Sequence, residues 1–140
     1  MKKYTFRREV FYLIKLLLNM AGDFYADCTA EALERTGNFR VEKRAATDAE
    51  TLELHLGEFP ADVLLLGVSP VRGYTAEDRM PLIHAARRKL PRSRIVLFLD
   101  ERISPEQTER VKQFRQARMV DGFLYASNSL NYLVDTLETI

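Results

Sequence analysis

A single cysteine, Cys28, stands in 140 residues. An intramolecular disulfide is therefore excluded, and a reducing compartment, the cytoplasm, is the expected setting. No apolar stretch approaches the roughly eighteen residues of a membrane span. The longest, Val10 to Leu18, is interrupted by Lys15 and is strand-sized. The basic start, Met1-Lys2-Lys3, lacks the apolar core and small-residue cleavage site of a signal peptide. Charge of one sign is missing too. With 21 Lys and Arg against 20 Asp and Glu the net charge is +1, so no global field selects nucleic acid or an acidic substrate. Repeats, low-complexity tracts and Pro/Gly/Ser linkers are absent, which argues against a second domain. His55 and His84 fall on different predicted helices without a partner motif. No zinc spacing, nucleophile triad or glycine-rich phosphate loop is visible, so no enzyme activity, cofactor or metal is expected.

What the chain does contain is an alternation of short apolar runs with amphipathic stretches, the pattern of βα units on a parallel sheet. The first strand is expected from Phe11 to Leu18. A helix from about Asp23 to Thr36 comes next, with Tyr25, Cys28, Ala32 and Leu33 on one face, Cys28 as a small buried hydrophobe and Gly37 as a left-handed cap. Phe39 to Ala45 alternates with polar residues and suits an edge strand. Thr47 and Glu50 have capping-box spacing for a second helix with the stripe Leu52, Leu56, Phe59. Val63 to Val68 and Arg94 to Leu99 are continuous apolar runs, expected to be buried on both faces. Between them a helix from about Arg79 to Leu90 carries Leu82, Ile83, Ala86 and Leu90 inward. Asp78 is its expected cap, with Pro81 confined to the first turn. Ser104 caps a fourth helix, with Pro105 at its first position, Gln107 reaching back, and Val111, Phe114 and Ala117 inward. Gly122 to Tyr125 is the last strand. Ser127 or Ser129 caps a final helix with the stripe Leu130, Leu133, Val134, Leu137.

Five such units predict a three-layer αβα sandwich around a doubly wound five-stranded parallel sheet in the order 2-1-3-4-5 with right-handed crossovers. Residues 11–140 form the expected domain and residues 1–10 an N-terminal arm. Ligands of such sheets gather at the carboxyl ends of the first, third and fourth strands.

Two segments carry a family likeness. Pro60-Ala61-Asp62-Val63-Leu64-Leu65-Leu66 is similar to the run into the phosphorylation site of bacterial response-regulator receiver domains, the CheY-like family. Asp121-Gly122-Phe123-Leu124-Tyr125-Ala126-Ser127 resembles the family's fifth strand and the entry to its last helix. Arg87-Arg88-Lys89-Leu90-Pro91 also fits, and the likeness is strongest to receivers of helix-turn-helix regulators. The resemblance implies a Mg²⁺ site and a phosphoryl acceptor, but the residues depart from it. The acidic pair falls on Asn19 and Met20, the acceptor aspartate on Gly67, the Thr or Ser of the fourth strand on Leu99, and the lysine of the fifth on Ala126. Glycine has no side-chain oxygen to phosphorylate, and Mg²⁺ needs near-octahedral oxygen ligands that Met20 does not offer. The implied protein is a pseudo-receiver with a vestigial pocket, rimmed by Ser69, Asp23, Asp100 and Tyr74, the last on a long loop after the third strand. Asp23 and Asp100 are equally read as a helix cap and a turn residue.

The resemblance further implies an interaction module of two-component-type transcription control, which forms a homodimer or docks a protein partner. The expected surface is helix four, strand five and helix five, with Arg110, Arg115, Arg118, Asp121, Tyr125, Tyr132 and Asp135 as candidates. No membrane partner is expected. The chain alone is not expected to bind DNA, which would require a fused or separate helix-turn-helix domain. The alternative is a sensor that binds a small neutral ligand in the vestigial pocket.

Overall fold

Apolar runs buried on both faces pair side by side, and their side-chain alternation divides the core in two. In the computed structural model, which describes residues 13–140, the elements are β1 (Ile14–Asn19), α1 (Asp23–Arg35), β2 (Phe39–Lys43), α2 (Ala49–Glu58), β3 (Val63–Val68), α3 (Ala76–Lys89), β4 (Arg94–Leu99), α4 (Pro105–Gln116), β5 (Gly122–Tyr125) and α5 (Leu130–Thr139). All strand pairs are parallel, in the order β2-β1-β3-β4-β5. This is the expected doubly wound αβα sandwich. The expected first residues of the first strand, Phe11 and Tyr12, and the arm 1–10 lie outside the described residues.

Successive residues of a strand point to opposite faces. Leu17, Leu64, Leu66, Val68, Leu97 and Leu99 enter one core layer with Leu52 and Leu56 of α2, Leu82 and Ile83 of α3, and Val111 and Phe114 of α4. Leu16, Leu18, Val63, Leu65, Val96, Phe98 and Leu124 enter the other, against Ala26 and Leu33 of α1 and Leu133 and Leu137 of α5. The register Gly67↔Phe98 and Val68↔Leu99 brings the strand ends level, with β1 alongside through Asn19↔Leu66.

Several local expectations are corrected. The buried face of α1 is Ala26, Thr29 and Leu33, offset from the expected stripe, so Cys28 is exposed and Tyr25 is 43% exposed. Gly22, not Asp23, is the N-cap of α1. Gly37 does take φ 81°, as a left-handed cap requires. β2 ends at Lys43, before Ala45. α2 is capped by Asp48, whose carboxylate accepts from the Thr51 amide; this moves Glu50 out of the box position and leaves Thr47 outside the helix. α3 starts three residues earlier than expected. Thr75 caps it and Asp78 closes a reciprocal box, so Pro81 sits in the second turn and costs the ladder bond to exposed Glu77. Ser104 caps α4 as expected, but the Gln107 side chain turns to α3. Its Oε1 accepts from the Ala76 amide at 2.7 Å and its Nε2 donates to Glu77 at 2.8 Å. Ala117 is exposed, because α4 ends at Gln116 and the chain reverses through Arg118 at φ 61°. Ser129 is the cap of α5, and Leu130 faces solvent.

Candidate functional site

At the carboxyl end of the sheet the backbone of β1 passes almost against that of β3. A Cβ placed on Gly67 would meet Met20 Cβ at 2.6 Å and Met20 Cα at 2.9 Å. The second of these is backbone, so no rotamer change relieves it. Above this contact lies a hollow of about 20 Å³ bounded by Met20, Ala21, Tyr25, Gly67, Ser69, Phe98, Asp100 and Ala126. Tyr25 closes its side. Its hydroxyl donates to the Ala126 carbonyl at 3.3 Å, and its ring lies 6.5 Å from that of Phe98. Burial and the carboxylates of Glu101 and Asp100 hold the Tyr25 phenol above its ordinary value.

Of the residues expected in the pocket, Met20, Gly67 and Ala126 meet there, with Ser69 and Asp100 at its edge. Leu99 does not. Strand alternation sends it into the opposite core layer, and its neighbour Phe98 fills the place. Asn19 also points to the α2–α3 side, fully buried. Its Nδ2 donates to the carbonyls of Arg44 (2.9 Å) and Ala46 (3.0 Å). Asp23 stands apart and exposed. Asp100 is a turn residue, bonded to the amide and guanidinium of Arg102, which hold its carboxyl below the usual range. Tyr74 does not rim the hollow, because its ring stacks on Arg79 instead.

Nothing in its residue type points to Arg79, yet it is the largest fully buried side chain. Nε donates to the Gly67 carbonyl at 2.8 Å, Nη1 to the Ala46 carbonyl at 3.3 Å, and Nη2 to both the carbonyl (3.1 Å) and the Oδ1 of Asn19. Tyr74 lies over it, with Cζ 4.2 Å from the ring centre. Desolvation pushes the guanidinium down from its ordinary value to about 10, opposed by Tyr74 and Asp78. It therefore remains a cation at neutral pH. The sequence holds one signal of it: Arg79 precedes Leu82, Ile83 and Ala86 at helical spacing, on the buried stripe of α3.

The donors here do not fit Mg²⁺, a hard ion that takes oxygen ligands. Asn19 Oδ1 is already engaged by a cation, and Met20, Gly67 and Ala126 bring no side-chain oxygen. Among the described residues, no three His, Cys, Asp or Glu side chains gather to hold a metal.

On the far edge, Arg115 of α4 and Tyr132 and Thr136 of α5 line a groove of about 320 Å³ over Phe123 and Leu124 of β5. Tyr125 is 37% and Tyr132 52% exposed, and Asp135 faces solvent. Two expected interface residues are committed within the chain. Asp121 accepts from the Ile95 amide (2.8 Å) and from Arg87 (3.0 Å), and Arg110 lies 3.7 Å from Glu77.

No family model matches the sequence, and no curated protein matches it either. Solved structures do match. A DNA-binding response regulator of the LuxR family from Staphylococcus aureus superposes with a TM-score of 0.69 at 15% identity, over 91% of this chain and 98% of that one. The signal receiver domain of the putative response regulator NarL from Mycobacterium tuberculosis gives 0.66 at 16%, over 91% and 94%. The REC domain of AraT, a response regulator from Geobacillus stearothermophilus, gives 0.66 at 21%, over 91% and 92%. The fold is thus that of response-regulator receiver domains, as the sequence resemblance implied.

Proposed function

We propose that this chain is a receiver-like signalling module that works without phosphorylation. It forms a homodimer through α4, β5 and α5, in two-component-type transcription control. The observation that carries the first part is the Gly67–Met20 contact, which leaves no room for a side chain at the acceptor position. The lysine position is Ala126, whose backbone carbonyl is taken by Tyr25. Phosphoryl transfer depends on positioned charge, and among the described residues the carboxylate of Asp100, of the wrong sign, is the only charge that lines this hollow.

The occupant favoured for the α4–β5–α5 face is a second copy. Arg115 and Arg118 stand on its α4 side and Asp135 on its α5 side, with no ion pair to any of them among the described residues. A two-fold axis would set each copy's cations against the other's carboxylate. Tyr125 and Tyr132 offer the aromatic area that interface cores favour. Output to DNA then comes from a helix-turn-helix domain, fused or separate. A cytoplasmic setting agrees with the absence, among the described residues, of any helix long and apolar enough to cross a membrane.

The volume favours docking over a ligand sensor. Small-molecule pockets run to roughly 300–1,000 Å³, whereas about 20 Å³ holds one water at most. The test pairs light scattering over a range of concentration with incubation in acetyl phosphate and Mg²⁺. A dimer that gains no hydroxylamine-labile phosphoryl group supports the proposal. A persistent monomer removes its second part, and a labelled protein removes its first.

A further inference from the structure

Arg79 is a buried charge without a carboxylate in hydrogen-bonding contact. The partners of its three nitrogens are carbonyl oxygens at Asn19, Ala46 and Gly67 and the amide oxygen of Asn19. Burying an unpaired charge is costly unless hydrogen bonds meet it in full. Here all three nitrogens are engaged, through four hydrogen bonds for the guanidinium's five N–H groups, and the Tyr74 ring covers one face by a cation–π contact. The residues joined are the end of β1, the loop after β2, the end of β3 and the loop from β3 to α3. That loop is held in turn by the Ser69 amide on the Tyr74 carbonyl (2.9 Å) and the Gly73 amide on Asp78 (2.9 Å).

The family likeness of the sequence implies a divalent cation at the ends of the first and third strands. The described residues there offer no ligand set for one, and a positive side chain already binds oxygens of Asn19 and Gly67. We propose that Arg79 is a tethered internal cation. It holds the carboxyl ends of β1 and β3 and, through Tyr74, the β3–α3 loop in one arrangement at any concentration of divalent metal. The arrangement does not depend on whether the chain dimerises.

The chemistry gives a direct test. Truncating Arg79 leaves a cavity lined by four acceptor oxygens, suited to a small planar cation. Melting temperatures are measured on the full chain, Arg79→Ala, Arg79→Met and a core control, Leu82→Ala, each with and without millimolar methylguanidinium chloride or MgCl₂. The expected result is no shift of the unaltered chain by MgCl₂ and a lowered melting temperature for Arg79→Ala. Methylguanidinium then partly restores Arg79→Ala but not Leu82→Ala. If Arg79→Ala does not fold, hydrogen exchange on Tyr74→Leu decides. Exchange at the Ser69 and Gly73 amides on the order of tenfold faster, the effect of losing one desolvated cation–π contact, supports the proposal, and unchanged exchange overturns it. The proposal is also overturned if MgCl₂ stabilises the unaltered chain, if Arg79→Met melts and exchanges like it, or if folded Arg79→Ala ignores methylguanidinium.

Discussion

Replacing Gly67 with aspartate puts back the oxygen-bearing side chain that an acyl phosphate would require, and the strand ends have no space for it. The new Cβ would stand 2.6 Å and 2.9 Å from Met20 Cβ and Cα. β1 and β3 are adjacent strands in register, so the strain can be relieved only by moving one strand against the other. Overpacking of this kind costs about 1–3 kcal/mol. The carboxylate would also enter a hollow it shares with Asp100, with no cation among the described residues that line it. A polar group buried without a partner adds about 1–3 kcal/mol. The sum, about 2–6 kcal/mol, lowers the melting temperature of a domain this size by roughly 6–20 °C. Gly67→Ala isolates the steric part and should show about half of the loss. Pairing it with Met20→Gly, which removes one of the two clashing atoms, should recover part of that. Urea and thermal denaturation measure each step, and acetyl phosphate labelling of Gly67→Asp should give no adduct. The reasoning is refuted if Gly67→Ala and Gly67→Asp unfold like the unaltered chain, or if the aspartate variant is phosphorylated.

Asn19→Ala should destabilise by about 2–4 kcal/mol, since it strips one acceptor from a buried guanidinium and the donor from two carbonyls; a loss under about 1 kcal/mol in urea titration, within the range of a typical neutral hydrogen bond, contradicts the network. The carboxyl of Asp78 is held below its ordinary value, first by the Thr75 side chain and then by the Gly73 and Thr75 amides. A folded-state value below the unfolded one gives stability that is complete above roughly pH 4 and is lost as pH falls through the folded value. Asp78→Asn should flatten that acid limb in a stability-against-pH series, and an unchanged limb counts against the capping box as its source. Arg115→Glu should weaken self-association at low salt and less so at high salt, read by sedimentation; equal dimerisation by the variant removes the α4 cations from the interface.

The strand runs were legible because burial on both faces leaves a continuous apolar signature: Val63–Val68 and Arg94–Leu99 have the expected bounds. Topology came from the count of βα units. Cap positions slipped by a residue or more where Thr47 competes with Asp48 and Asp78 with Thr75, since each pair offers oxygen to the same turn. The site was less legible for a reason of parity. An alignment along a strand does not say which face a residue takes, and Leu99 and Phe98 exchange roles on that account. Arg79 lay open to discovery by its stripe, but its partners are mostly backbone oxygens, which no side-chain motif records.

Gln107 gives α4 a mechanical tie to α3. Its amide clamps the first turn of α3 from the first turn of α4, and Arg110 on Glu77 adds a second strut. Arg79 lies one turn along α3 from the clamped Ala76. Under the docking proposed for α4, load applied there by a bound protein would be delivered to the root of the guanidinium, and a message would run inward to the strand tips, the reverse of the direction in which a phosphoryl-driven relay sends it.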